Sequence, residues 1–311
     1  MANSDNKSFK TSIGGSALIE GVMMKGPSTG AMALRLPDNT IDVSTWKNEG
    51  GKKWYKRCPF VRGIFNFFDS LFSAFKCLMK SADAAGMDDE EPGKFEKWLI
   101  EKLGKKYETA VQFGAVVMGM ILAVGLFIVL PTMLIGFLRP YIDSRLLLSF
   151  IEACVKVSVF ILYVYAVSRM SYIKRVFMYH GAEHKTIFCY EAGLPLTVEN
   201  VRKQSRFHPR CGTSFILIVV IVSVLVFSMV PWDNLSMRIV LKFLSLPVVV
   251  GIAYEIIKYA GGHDNFLSKF LSYPGLLLQR LTTSEPDDSM IEVAIEAMNP
   301  CIPENAGEDA W

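Results

Sequence analysis

Long apolar runs with few charges fill much of the chain after residue 108. No charged residue occurs between Glu108 and Arg139, so residues 109–138 form a long candidate membrane helix, interrupted at Pro131. A helix needs about 20 mostly apolar residues to cross a bilayer. Three further runs meet this requirement, at residues 146–168, 213–232 and 239–259. The pattern predicts an all-α polytopic membrane bundle of about four transmembrane helices.

A small β-rich unit precedes these runs, over residues 12–46. The stretches ALIEGVMM, AMALRLP and TIDVST alternate in polarity or are rich in residues that favour strands. Turn-forming residues separate them at 26–30 and at 37–39. We expect short strands joined by tight turns.

Two segments between the β-rich unit and the first span have the pattern of amphipathic helices. Residues 60–80 repeat apolar side chains at helical spacing but carry Arg62, Asp69 and Lys76. These charges predict a helix that lies in the membrane interface and does not cross the bilayer. A second such helix is expected over residues 94–106.

The patterns divide the chain into four consecutive segments. They are a β-rich cytoplasmic unit (1–58), amphipathic interfacial helices with a linker (59–108), a four-helix transmembrane domain (109–262) with a His-bearing cytoplasmic loop (171–212), and a cytoplasmic C-terminal segment (263–311). Lys and Arg concentrate before the first span and in the 171–212 loop. The positive-inside rule therefore predicts a multi-pass protein of the cell inner (plasma) membrane with both termini cytoplasmic. The N-terminal sequence has no signal-peptide pattern.

Composition agrees with a membrane protein, since 51% of the 311 residues are hydrophobic and 20% are charged. The lipid bilayer is thus the expected partner. A net charge of +3 without a basic binding motif gives no reason to expect nucleic acid. The six cysteines form no C-x-x-C pair, and a reducing cytoplasm disfavours a disulfide framework.

The four histidines of the chain all fall at the cytoplasmic membrane edge in this topology. His180 and His184 lie four residues apart on a predicted helix, so both imidazoles can reach one metal ion. With Glu183 they form the order H-x-x-E-H, in which the glutamate is a general base toward the water that the metal activates. Imidazole ligands favour zinc, although manganese or another divalent metal can bind.

A third metal ligand must come from elsewhere in the chain. His208 and His263 are the candidates, because each lies at the cytoplasmic end of a span. Asp264 adjoins His263, and Cys211 is a further soft ligand three residues after His208. Glu191 lies on the stripe of His180 and His184, but seven residues of helix is roughly 10 Å, too far to share the ion.

Several polar residues have both a structural and a functional interpretation. The His–Glu–His cluster itself could be a hydrogen-bonded polar knot or a partner-binding surface. Arg210 could hold a phosphate or a lipid headgroup, or only set the topology. Glu20 is either a strand residue facing solvent or a contact to the histidine cluster. Glu152 and Lys156 are either an ion pair within a span or part of a proton or ion path.

At these residues the sequence resembles YqhQ-like bacterial membrane proteins, a domain-of-unknown-function family whose members are labelled predicted metal-dependent enzymes. Four segments carry the resemblance: GGSALIEGVMMKGP (14–27), YHGAEHKTIFCYE (179–191), VRKQSRFHPRCGTSF (201–215) and LLLQRLTTSEPDD (276–288). The resemblance extends from Gly14 to about Ala297. It implies a metal site at His180, Glu183 and His184, but no substrate or reaction.

Two hypotheses on function follow. The first is a metal-dependent hydrolase acting at the cytoplasmic membrane face. The alternative is a non-catalytic membrane accessory or assembly factor for another membrane protein complex. A small transporter is a weaker hypothesis, because the four spans show no evident inverted repeat.

Overall fold

The computed structural model of the protein describes residues 9–48, 55, 58–86, 102, 104, 107–305 and 307–310. The chain forms two compact units. The first comprises Met1–Met87, Val164–Val219 and Val250–Trp311, and the second comprises Asp88–Tyr163 and Val220–Val249. These units combine segments far apart in sequence, unlike the four consecutive segments predicted above. The amphipathic helix predicted over 94–106 lies outside the described residues except for residues 102 and 104.

The N-terminal segment is a four-stranded antiparallel sheet with strand order β1-β2-β3-β4. The strands are β1 Gly14–Leu18, β2 Gly21–Lys25, β3 Thr29–Arg35 and β4 Ile41–Lys47. The stretch ALIEGVMM is therefore two strands rather than one. Glu20 has a positive φ of 51°, so the chain turns there, and Leu18 pairs with Gly21. The β-rich unit itself is confirmed.

The rest of the described chain is mainly helical. The helices are α1 Val61–Ala84, α2 Tyr107–Val124, α3 Leu130–Gly136, α4 Arg145–Ser168, α5 Ser171–Glu191, α6 Val198–Arg202, α7 Gly212–Ser228, α8 Leu235–Leu244, α9 Leu246–Gly262, α10 Phe266–Thr282 and α11 Asp288–Met298. A π-helical turn at Gly125–Val129 joins α2 to α3 directly before Pro131. The apolar run around this proline therefore remains helical.

Two helical segments are long and apolar enough to cross a membrane, Phe113–Tyr141 and Arg145–Ser168. A third is reached if α8 and α9, which are bent by 44° at their junction, count as one span. Pro247 explains the bend, because proline lacks the N–H of a helical hydrogen bond and clashes with the preceding turn. The helix α7 has 17 residues, at the lower end of the length that a span needs. The described residues thus contain two or three candidate spans, fewer than the four predicted.

The sheet of the first unit is covered on both faces by helices. Val22, Met24, Ala31 and Ala33 point to one face, where they pack with residues of α5 and α11. Alternate residues point to the other face, where Leu18, Met23, Met32 and Leu34 pack with Cys77 of α1. Burying a side chain of this size stabilises the fold by about 1.5–3 kcal/mol. The sheet thereby fixes α5, the helix that carries His180 and His184.

A buried ionic cluster lies within the second unit, and its pairing differs from the sequence prediction. Glu152 pairs with Arg238 and Lys242, both of α8, rather than with Lys156. The position of Arg238 is helical, since α8 begins at Leu235, and the Arg238 side chain is fully buried. The i,i+4 spacing predicted the wrong partner, because the two oxygens of the Glu152 carboxylate pair with the cations of α8.

Candidate functional site

The helix α5 presents three polar side chains in the interior of the first unit. His180, Glu183 and His184 are buried, and the two imidazole ring centroids lie 4.4 Å apart. Gly181 allows the segment at Ser284 to pack closely against α5, because a Cβ at Gly181 would lie 2.1 Å from the Ser284 carbonyl oxygen. The helical spacing thus brings both histidines to one side of α5, as predicted.

Cys211, directly before α7, completes a group of three side chains of the types that can bind a metal ion. Its Sγ lies 3.1 Å from His180 Nε2. One ligand atom from each of His180, His184 and Cys211 can be chosen so that all three lie within 4.8 Å of one another. The sequence suggested Cys211 only as a further soft ligand after His208 and His263, whereas the structure places it in the candidate group itself.

Both histidines are oriented by backbone carbonyl groups. His180 Nδ1 lies 2.9 Å from the Thr282 oxygen and His184 Nδ1 lies 2.6 Å from the Arg206 oxygen. A carbonyl only accepts hydrogen bonds, so each Nδ1 carries the proton and each Nε2 is directed at the cluster. His184 Nε2 is buried and has no hydrogen-bond partner among the described residues. This unsatisfied nitrogen fits a metal ligand.

Glu183 is buried beside the same cluster. Its carboxylate accepts a hydrogen bond from the backbone N–H of Gly15, whereas its Oε2 has no partner among the described residues. Gly15 is needed here, since a Cβ would lie 3.0 Å from Glu183 Cδ. Burial raises the pKa of Glu183 more than the neighbouring His180 and His184 lower it. The carboxyl group is therefore adapted to exchange a proton nearer neutral pH.

Cys211 and His180 are electrostatically coupled. Burial alone would raise the pKa of the Cys211 thiol, but His180 and His184 hold that pKa well below its usual value. Burial likewise opposes the charged form of His180, but the Cys211 sulfur and its hydrogen bond raise the pKa of His180 to about 9. The two imidazoles therefore favour the thiolate form of Cys211, which is the form that binds metals.

His208 lies beside the three-residue group, within a second polar cluster. Its ring centroid is 5.5 Å from that of His184. Its Nε2 lies 3.7 Å from Glu191 Oε2, and the same carboxylate is paired with Arg210. The Gln279 side chain accepts the His208 backbone N–H at 2.8 Å. Arg210 therefore pairs with the carboxylate of Glu191. His208 packs next to His184, outside the group of His180, His184 and Cys211.

His263 and Asp264 are not brought to this cluster. Both are exposed at the end of α9, and the His263 ring stacks on Tyr259 with centroids 4.3 Å apart. His263 Nδ1 lies 3.0 Å from the Tyr259 carbonyl oxygen. Equal membrane depth alone was the basis for including His263. It does not fix the lateral position of the side chain.

Glu20 contacts α5 but not the imidazoles. Its carboxylate pairs with Arg175 and accepts a hydrogen bond from the Tyr179 hydroxyl at 3.2 Å. Glu20 lies in the β1–β2 turn, not in a strand. It anchors this turn to the part of α5 that precedes His180.

Sequence reasoning missed the groups that orient the site. Thr282 and Arg206 contribute through their backbone carbonyls, which leave no trace in residue type. Gln279 had a weak signal, because it falls in the polar interruption of the segment LLLQRLTT. None of these could be assigned without the tertiary structure.

A cavity of about 560 Å³ within the first unit extends to Cys211. Its polar lining includes Lys25, Asn66, Asp69 and Arg210, and its apolar lining includes Phe67, Phe215, Tyr254 and Ile257. The cavity therefore gives a path by which a molecule with polar and apolar parts can approach the Cys211 side of the cluster.

Comparisons with known proteins identify relatives without a stated activity. A family model described as "Protein of unknown function (DUF1385)" matches residues 58–304. The chain is 38% identical over 293 residues to "Uncharacterized protein YqhQ" of Bacillus subtilis (strain 168), which covers 93% of this chain and 92% of the relative. No solved structure matches. The resemblance seen in the sequence is confirmed.

Proposed function

This chain belongs to the DUF1385 family, and we propose that it is a metal-dependent hydrolase acting at the cytoplasmic face of a membrane. The observation that carries the proposal is the group formed by His180, His184 and Cys211, whose ligand atoms lie within 4.8 Å of one another. The buried Glu183 carboxylate next to this group supports a hydrolytic rather than a purely structural metal.

Zinc fits the donor set of two imidazoles and one thiolate. Zinc bonds of about 2.0–2.3 Å to nitrogen and sulfur place tetrahedral donors roughly 3.5 Å apart. His180 Nε2 and Cys211 Sγ are 3.1 Å apart, and the remaining pairs of ligand atoms lie within 4.8 Å. The partnerless His184 Nε2 supplies the remaining protein donor. These three side chains would hold the metal, and the bound water would be the fourth ligand, as in catalytic zinc sites.

Glu183 is the general base of the proposed reaction. A bound metal would supply Lewis acidity and an activated water. A general base works best when its pKa is near the working pH, and burial raises the pKa of Glu183 in that direction. The substrate would approach through the cavity beside Cys211. Its mixed lining fits a substrate with polar and apolar parts, and leaves open a peptide, a lipid-linked group or a phosphoester.

The proposed location is the inner membrane, crossed several times, with both termini cytoplasmic. The N-terminal sheet, α5 and α11 pack within one unit, so their chain segments lie on the same side of a bilayer. Each intervening segment then crosses an even number of times. Two crossings are supplied by Phe113–Tyr141 and Arg145–Ser168, and a second pair by α7 with the bent α8–α9 segment. The exposed Phe65, Phe68 and Phe72 of α1 fit the membrane interface.

Reporter fusions test this arrangement. Reporters after residue 143 and within residues 233–238 should signal outside, and reporters at Ser205 and after residue 262 should signal inside. The physical reason is the concentration of Lys and Arg in the 171–212 loop. An outside signal at Ser205 would contradict the topology and would also remove the site from the cytoplasmic face.

Metal analysis of the purified protein tests the proposed site. We expect about one equivalent of zinc per chain, and loss of most of it in Cys211→Ala and in the double variant His180→Ala/His184→Ala. Cys189→Ala and His263→Ala are the matched controls, since Cys189 is a buried cysteine of α5 and His263 lies outside the group. Both should keep their zinc. Elemental analysis after dialysis against zinc gives the content.

A wild-type protein that binds no metal, or a His263→Ala variant that loses it equally, would contradict the proposed site. The non-catalytic alternative, an accessory or assembly factor for another membrane protein complex, would then replace the hydrolase. In that case the three side chains would serve as a polar knot that fastens the 201–212 segment onto α5.

A further inference from the structure

The helix α10 buries polar residues and exposes apolar ones. Five of the six residues that it buries are small or polar, and they recur every three or four positions: Ser268, Ser272, Gly275, Gln279 and Thr282. At 3.6 residues per turn, the opposite side carries Phe266, Phe270, Tyr273 and Leu277. Their exposed fractions are 86%, 66%, 59% and 42%. A helix of a soluble protein turns its apolar stripe to the core, so the polarity of α10 is inverted.

The inward face of α10 is held in place by specific contacts. Gln279 accepts a hydrogen bond from the His208 backbone N–H at 2.8 Å and donates one to the His208 carbonyl oxygen at 2.7 Å. Gly275 lies so close to Ser214 of α7 that a Cβ would not fit between them. A rotation of α10 that buried its aromatic face would break these contacts. The exposed face therefore needs a cover from outside the unit.

The position of α10 in the chain places it next to a candidate membrane span. It begins four residues after Gly262, where α9 ends, and α9 forms the bent candidate span together with α8. Its contact residue Ser214 belongs to the first turn of α7. The proposed topology places this end of α7 at the cytoplasmic membrane edge. The helix α10 therefore lies at the level of the membrane surface.

The helix α1 of the same unit has the same inverted polarity. Its buried residues are small, whereas its exposed residues include aromatic ones, and the two sets are Gly63, Cys77 and Ser81 against Phe65, Phe68 and Phe72. Gly63 packs against Tyr254 of α9, since a Cβ at Gly63 would overlap the Tyr254 side chain. Two helices with exposed aromatic faces thus adjoin one candidate span. The lipid around that span can cover both faces.

The charge of α10 favours lipid over a neutral partner. The helix contains Lys269 and Arg280 and no acidic residue, so its net charge is +2 (2 − 0). Both cations are exposed and lie eleven residues apart, which is about three turns, on one flank of the aromatic face. Helices that lie in the membrane interface combine basic residues with Phe, Tyr and Leu in this way. Anionic headgroups attract such cations.

We propose that α10 is an in-plane membrane helix, whose aromatic face lies in the lipid interface and whose Lys269 and Arg280 contact anionic headgroups. The proposal rests on the membrane location proposed above and uses none of the candidate metal ligands. It changes the expectation for the C-terminal segment, since residues 266–282 then contact the bilayer from the cytoplasmic side. Because the Thr282 carbonyl oxygen orients His180, α10 connects the membrane surface to the candidate metal site.

Photocrosslinking of the full chain in lipid nanodiscs tests the proposal. The nanodiscs contain equal amounts of phosphatidylcholine and phosphatidylglycerol, and p-benzoylphenylalanine replaces one residue at a time. Intact-mass spectrometry detects lipid that is bound to the chain. We expect lipid adducts from probes at Phe270 and at Leu277. The matched control is Leu194, which is 42% exposed, as Leu277 is, but follows the end of α5, so its probe should give none.

A probe at Ile121 separates this proposal from the membrane location on which it rests. Ile121 is exposed within the candidate span Phe113–Tyr141, so its probe reports on membrane insertion itself. Adducts at Ile121 without adducts at Phe270 and Leu277 would overturn the interfacial helix alone. Absence of adducts at all of these positions would overturn the membrane location as well. Crosslinks from α10 to a second copy of the chain would make its exposed face a protein interface and would equally contradict the proposal.

The double variant Lys269→Gln/Arg280→Gln tests the contact with anionic headgroups. With the probe at Phe270, phosphatidylglycerol adducts should exceed phosphatidylcholine adducts by about two- to fivefold when both cations are present. The double variant should bring this ratio close to one, and its fold should be retained because both positions are exposed. Arg202→Gln/Lys203→Gln, which removes two exposed cations of the 171–212 loop, should keep the ratio. An unchanged ratio in Lys269→Gln/Arg280→Gln would refute the headgroup contact.

Discussion

Replacing Glu152 with glutamine is expected to lower the free energy of unfolding by about 3–5 kcal/mol, as removal of one partner from a buried ion pair does. The substitution keeps the size of the side chain but leaves Arg238 and Lys242 buried without a carboxylate. Unfolding in mixed detergent micelles measures the loss.

The matched control is Glu255→Gln. Glu255 also pairs with an arginine, Arg62, but both side chains are 21% exposed. Partly solvated pairs contribute about 0–1 kcal/mol, so this variant should remain close to the wild type. The double variant Glu152→Gln/Lys242→Met should regain part of the lost stability, because it removes one of the orphaned charges. Equal stability of the two single variants would refute the buried ionic cluster as a stabilising unit.

The second large effect is expected at the proposed active site. Glu183→Gln should reduce hydrolysis by about 10²–10⁴-fold, the usual contribution of a general base. Its zinc content should not change, since the candidate ligands are His180, His184 and Cys211. The rates can be measured on zinc-loaded protein with p-nitrophenyl acetate and p-nitrophenyl phosphate.

Glu199→Gln is the control, because Glu199 is an exposed glutamate paired with Lys203 four residues along the chain. It should retain the wild-type rate. Loss of zinc together with activity in Glu183→Gln would make Glu183 a ligand instead of a base. Zinc-loaded wild-type protein that cleaves neither probe would rule out hydrolysis of these ester types.

Local periodicity was enough to predict α5 and the shared face of His180 and His184, since the helical repeat fixes those positions. It also predicted the apolar helices at 113–141 and 145–168 and the helix at residues 60–80, whereas the run predicted at 239–259 is divided between α8 and α9. The β1–β2 turn was missed because only the positive φ of Glu20 separates the two strands. The strand and turn propensities of these residues did not indicate this turn.

The remaining parts of the site depend on contacts between distant segments. Cys211 meets His180 across 31 residues, and Glu152 meets Arg238 and Lys242 across 86 and 90 residues. The sequence did not distinguish His263 from His208 as the candidate for the third metal ligand. Only the position of α9 decides against it, because stacking on Tyr259 keeps that ring at the surface.

The discontinuous first unit has a consequence for biosynthesis. Val22 and Met24 are synthesised early, whereas α11, which covers their side of the sheet, comes near the end of the described chain. At translation rates of ~5–20 residues per second, roughly ten to fifty seconds separate the two. During that interval this face of the sheet is only partly covered, because α5 is synthesised before α11. The first unit is therefore completed only after α11 has been synthesised, when Thr11 can pair with Ala310.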